Sequence, residues 1–103
     1  MKQIINGKIY NTDTATQIGE YWNGLAASDF GYCYEILYRT KRGAYFVHGM
    51  GGAASAWSEA VGDARTGSGG IKPLTEREAL DWAERNEWSE TVLEHFSHIL
   101  EEA

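Results

Sequence analysis

Residues 32–48 decide the fold. They read Tyr32-Cys33-Tyr34-Glu35-Ile36-Leu37-Tyr38-Arg39-Thr40, then Lys41-Arg42-Gly43, then Ala44-Tyr45-Phe46-Val47-His48. In the first run the even positions are Tyr, Tyr, Ile, Tyr and Thr, while Glu35 and Arg39 fall on odd ones. That is the period of two of a strand with one drier face. Lys41-Arg42-Gly43 is a turn whose glycine suits a left-handed backbone, so Ala44–His48 returns antiparallel to the first run.

Outward from this hairpin, Ile4-Ile5-Asn6-Gly7-Lys8-Ile9-Tyr10 sets Asn-Gly between β-formers, a strong signal for a second, tighter hairpin. Gln17–Trp22 reads as a strand closed by Asn23-Gly24. On the other side, Gly49-Met50-Gly51-Gly52 is expected to break the returning strand, Ala53–Val61 has helical composition, and Gly62–Gly70 reads as a flexible loop. Pro73 keeps Ile71–Leu74 extended. Thr75-Glu76-Arg77-Glu78 is a capping box, in which Thr75 caps and Glu78 reaches back, and it opens a helix to about Asn86. Ser89 is expected to cap a last helix to about 101, with Trp88 and Leu93 as a hydrophobic staple and Val92, Leu93, Phe96, Ile99 and Leu100 as its apolar stripe.

These elements make one α+β domain over residues 1–103. The expected architecture is a small antiparallel β-meander of three to five strands, with a short middle helix and two C-terminal helices packed on the sheet. At 43% hydrophobic and 23% charged residues the composition is globular. A single cysteine, Cys33, excludes an internal disulfide and fits a reducing cytoplasm. No apolar run is long enough for a membrane helix, and residues 1–7 lack the pattern of a signal peptide. The expected location is therefore cytoplasmic, with no membrane contact.

No set of residues carries an enzyme. Cys33 sits inside a strand without a base at fixed spacing, and Ser55 and Ser58 lack a nucleophile elbow. His95 and His98 stand one helical turn apart, but zinc needs a third or fourth ligand that nothing fixes nearby. Residues 49–52 are neither a P-loop nor a dinucleotide fingerprint. A glycine turn of this kind either cradles an anion or simply serves the backbone crossing. We therefore expect no catalytic residue, no cofactor and no metal.

The net charge of -6 is unevenly spread. Residues 76–103 hold nine acids against Arg77 and Arg85, a net of -7, and residues 1–75 carry +1. A field of that sign repels phosphates and attracts basic surfaces, so direct nucleic-acid binding is not expected. Glu76, Glu78, Asp81, Glu84, Glu87, Glu90 and Glu94 form either a solvated helix face or a docking face for a basic partner. The aromatic supply of four Trp, six Tyr and three Phe exceeds what one sheet face must bury. Tyr38, Arg39 and Tyr45 near the 39–42 turn are thus expected as a second partner-binding surface.

Lys8–Ala15, Leu37–Gly43 with Tyr45-Phe46, Gly49 with Gly51-Gly52-Ala53, and Pro73–Ala79 with Trp82 resemble a group of small proteins encoded by phages, prophages and integrative elements. The resemblance covers nearly the whole chain and rests on turns, glycine crossings and a helix cap, so it carries no catalytic residues. In size and charge the chain is similar to many anti-CRISPR and other anti-defence proteins. What this implies is a non-enzymatic inhibitor in the bacterial host cell that binds a basic host protein, a CRISPR–Cas effector component among the candidates. Two alternatives remain: a small structural or regulatory protein that forms a homodimer or larger homo-oligomer through its aromatic sheet, and a ligand-binding module using residues 49–52.

Overall fold

The computed structural model describes residues 1–103. Four strands form the central antiparallel sheet: β3 (Thr16–Trp22), β4 (Cys33–Arg39), β5 (Tyr45–Gly51) and β8 (Ser68–Leu74), in that spatial order. Two hairpins stand outside it, β1 (Lys2–Ile5) with β2 (Lys8–Asn11) and β6 (Glu59–Val61) with β7 (Ala64–Thr66). Helices α1 (Glu76–Arg85) and α2 (Ser89–Phe96) close the chain, followed by a single 3-10 turn at Ser97–Ile99. This is the expected α+β class, an antiparallel sheet with a C-terminal helical layer.

Alternation along β4 and β5 sends side chains to two faces, and both are used. On the odd face Leu37, Tyr45 and Val47 pack under Ala79, Leu80, Trp82, Ala83 and Phe96 of the helices. On the even face Tyr38, Phe46 and Ile71 pack under Tyr10 of the β1–β2 hairpin. That hairpin turns at Asn6 and Gly7, with φ of 52° and 76° as a two-residue primed turn requires. Thr75 and Glu78 complete the capping box in both directions, at 3.1 and 2.9 Å.

Five expectations are corrected. The middle helix is absent: residues 53–58 are turns. Ser55 donates its hydroxyl to the Gly52 carbonyl and accepts from the Trp57 N–H, while the Ala54 N–H goes to Phe30. These local bonds compete with helical ones. The glycines do not break β5, which runs through Gly51; the Trp57 ring lies so close over Gly49 that no β-carbon fits there. Residues 62–70 are mostly strand, because Gly62, at φ 60°, turns β6 into β7. Ser89 lies inside α2, whose cap position is Trp88, with no side-chain cap bond. The helix also ends early, at Phe96. Leu93 is 66% exposed, so the sheet covers only part of the stripe, and helical turns without packing have little to hold them.

Candidate functional site

Helix α1 ends where the acids gather. The Glu87 N–H donates to the Glu84 carbonyl and the Trp88 N–H to the Ala83 carbonyl, the paired bonds of a Schellman motif. The left-handed position in that motif is usually glycine; here it is Glu87, at φ 62°. The sharp reversal starts α2 two residues later and opens a groove of about 340 Å³ between the helices. Ala83, Val92, Trp88 and Leu93 give it an apolar lining, with Trp88 38% exposed, and Glu84 and Glu87 stand on its rim. Glu90 and Glu94 follow on the solvent side of α2, four residues apart, next to Leu93.

The seven expected acids thus divide. Glu76 meets His98 at 2.7 Å, Glu78 serves the α1 cap, and Asp81 pairs with Arg77 at 3.5 Å. The cap bonds from Thr75 hold the Glu78 carboxyl below its ordinary range. Glu84, Glu87 and Glu90 have no side-chain hydrogen bond or ion pair, and Glu94 only approaches His95 at 3.8 Å. Glu90 and Glu94 repel each other as like charges at i, i+4. The unpartnered negative charge is therefore concentrated at the α1–α2 corner rather than along the whole of α1.

The second expected surface is corrected in part. Tyr38 and Tyr45 are buried, because alternation points them at opposite cores. Tyr38 stacks on Phe46 and Tyr45 on Phe96, both with ring centroids 5.1 Å apart. Arg39 remains exposed, its guanidinium 5.9 Å above the Tyr45 ring. The rings left at the surface are elsewhere, at Trp22, Phe30 and Trp88.

The glycine turn offers no anion cradle through its main donors. The Gly52 N–H goes to Tyr32, Ala54 to Phe30 and Ser55 back to Gly52. His95 and His98 lie at the end of α2 and in the turn after it, and no three His, Cys, Asp or Glu side chains come together as a metal set. Burial and the neighbouring Glu35 raise the Cys33 thiol, which makes it a poor nucleophile.

Sequence reasoning missed Glu35. One of its oxygens accepts from the Trp57 indole at 2.7 Å and the other from Trp82 at 2.8 Å. A shallow cleft of about 230 Å³ beside it, between β5, β8 and α1, has no Ser, Thr, Cys or His in its lining. The carboxylate joins loop, helix and sheet. The signal available was an acid on the odd face of β4, two residues from the buried Leu37, in a chain rich in donor-only indoles.

No helix of the structure is long and apolar enough to cross a membrane. Comparison with protein-family models, with curated proteins and with solved structures finds no match to this chain.

Proposed function

We propose that the chain is a non-enzymatic binding protein whose acidic α1–α2 corner docks on a basic, partly apolar surface of another protein. One observation carries this reading: Glu84 and Glu87, without an intramolecular cation, border a groove lined by Trp88 and Leu93, and Glu90 and Glu94 stand exposed on the adjoining face of α2, with only His95 near Glu94. Two local costs support it. A non-glycine residue holds a left-handed backbone, and two acids repel along α2, both tolerated where folding alone favours other residues. Apolar contact in the groove supplies affinity, and the acid rim steers a cationic partner and sets its orientation.

The resemblance to mobile-element proteins, with a size and charge similar to those of anti-defence proteins, supports one partner class: a host defence component whose basic nucleic-acid channel the corner would occupy, a CRISPR–Cas effector being the leading case. Proteins that handle nucleic acids carry such channels, and carboxylates can take the place of phosphates there.

The experiment is a binding titration against a panel of purified CRISPR effectors at low and moderate salt. It compares the parent with a variant carrying Glu84, Glu87, Glu90 and Glu94 changed to Lys. Glu78 and Asp81 are left alone because they cap α1 and pair with Arg77. The expected result is binding that weakens at least about tenfold with salt, as exposed charges are screened over about 10 Å, and that is lost in a variant still folded by circular dichroism. Binding that survives the reversal removes the acidic corner. A panel with no binder removes the CRISPR assignment.

A further inference from the structure

The sheet face opposite the helices is covered along only part of its length. The β1–β2 hairpin shields the rows containing Tyr38, Phe46 and Ile71. The last cross-strand row runs Trp22, Tyr34, Met50, Gly69. There Trp22 is 57% and Met50 42% exposed, and Phe30, in the adjoining loop, is 75% exposed. A groove of about 490 Å³ opens between Phe30, Tyr32 and Met50 on one side and Arg65 and Thr66 on the other. The polar ends of the row are already satisfied, since the Trp22 indole donates to the Leu25 carbonyl and the Tyr34 hydroxyl to Glu20. Apart from the Glu20 carboxylate beside Tyr34, what faces solvent here is ring and thioether surface, and monomers seldom expose more than a few hundred Å² of it in one patch.

Beside the groove projects the β6–β7 arm. All six of its strand residues are exposed, Val61 among them, and a two-stranded hairpin without a core is marginal alone. With such projections the chain has a radius of gyration of 14.7 Å, against about 13 Å for a compact chain of this length.

We propose that this open end of the sheet is the contact between two copies of the chain, packed face to face about a two-fold axis. Charge selects this occupant. The helical segment, with its net of -7, lies on the other side of the sheet, and the rest of the chain carries +1. Two copies can therefore meet here with their acidic layers outermost. Asp29 and Arg65 line the same groove with opposite charges, Arg65 steadied by its bonds to Ser58, and a two-fold arrangement can place each acid against the other copy's base, the self-complementarity that an isologous interface needs. Edge-to-edge pairing is closed. On β3 the Ile18 and Glu20 carbonyls are taken by the Thr91 hydroxyl and the Trp88 indole. On β8 the Ile71 N–H is taken by the Gln3 side chain, and Pro73 has no donor.

Sedimentation equilibrium across a concentration series up to on the order of 500 µM tests this, because self-association follows mass action. The expected mass rises from one chain to two, and the association strengthens or holds as salt rises, the opposite of the acidic corner's behaviour. Phe30→Ser and Met50→Lys each weaken it at least tenfold, and the four-Lys corner variant leaves it intact. Phe30 lies outside every strand, so Phe30→Ser keeps the test available if Met50→Lys unfolds. A one-chain mass throughout overturns the proposal, as does a dimer that persists unchanged in folded Phe30→Ser.

Discussion

Trp82 donates its indole N–H to Glu35 across 2.8 Å, joining residues 47 apart in sequence and tying α1 to β4. Trp57 donates to the other oxygen of the same carboxylate at 2.7 Å. A carboxylate has an acceptor oxygen to offer on each side. The arrangement fixes where α1 lies on the sheet and where the 53–58 turns fold back, using two donors that have no acceptor capacity of their own.

Glu35→Gln is therefore expected to destabilise the fold. Glutamine keeps one carbonyl oxygen and turns an amide N–H₂ toward the other indole, setting donor against donor. A buried donor left unsatisfied costs about 1–3 kcal/mol. In a Trp57→Phe background that conflict disappears, so the glutamine should cost clearly less there than in the parent. Urea unfolding of the four proteins measures the coupling. Strictly additive losses would show that the two indoles do not share the carboxylate.

The parts of the fold legible in the sequence are those set by neighbouring residues. Tyr32–Thr40 alternates, Asn6-Gly7 forces a primed turn, and Thr75 and Glu78 cap a helix with bonds no more than three residues long. Glycines 49 and 51 were not legible, because the reason for them is a ring and a serine arriving from the following turns. Tyr38 and Tyr45 were expected at the surface because one strand alone does not reveal that each of its faces will be covered. The acids of the candidate site were legible as charge. Which of them remain unpartnered was not, since that depends on the Schellman turn at Glu87 and on the reach of His98 to Glu76.

The capping box predicts part of the acid sensitivity. Bonds from the Thr75 backbone and hydroxyl side hold Glu78 below its ordinary value of 4.5. A carboxylate depressed in the folded state contributes stability above its unfolded pKa, and that contribution is lost as pH falls through the folded one. Melting temperature should thus fall between about pH 5 and pH 3, and Glu78→Gln should flatten part of that fall while lowering the plateau near neutrality. Parallel melting curves for parent and variant over this range would assign the sensitivity to other carboxyls.

Glu87 separates stability from binding. At φ 62° it holds the left-handed position of the Schellman motif, with its N–H on the Glu84 carbonyl and that of Trp88 on Ala83. An L-residue with a β-carbon pays about 1–2 kcal/mol for that conformation. Glycine avoids the strain but loses more backbone entropy on folding, about 0.5–1 kcal/mol. The balance predicts that Glu87→Gly stabilises by about 0.5–1 kcal/mol, which for a domain of this size raises the melting temperature by about 2–8 °C. Asparagine tolerates the same region better than most residues, so Glu87→Asn should fall between glycine and the parent, and Glu87→Ala should bring no comparable gain. The same three variants should all weaken binding of a basic partner, because each removes one carboxylate from the rim of the Trp88–Leu93 groove. A glycine variant that is more stable yet binds less tightly is the signature of a residue kept for its charge at the expense of its backbone. If Glu87→Gly leaves the melting temperature unchanged, the left-handed turn is not held in solution. The corner would then lack the geometry that sets Glu84 and Glu87 on the groove and Glu90 and Glu94 on the helix beside it.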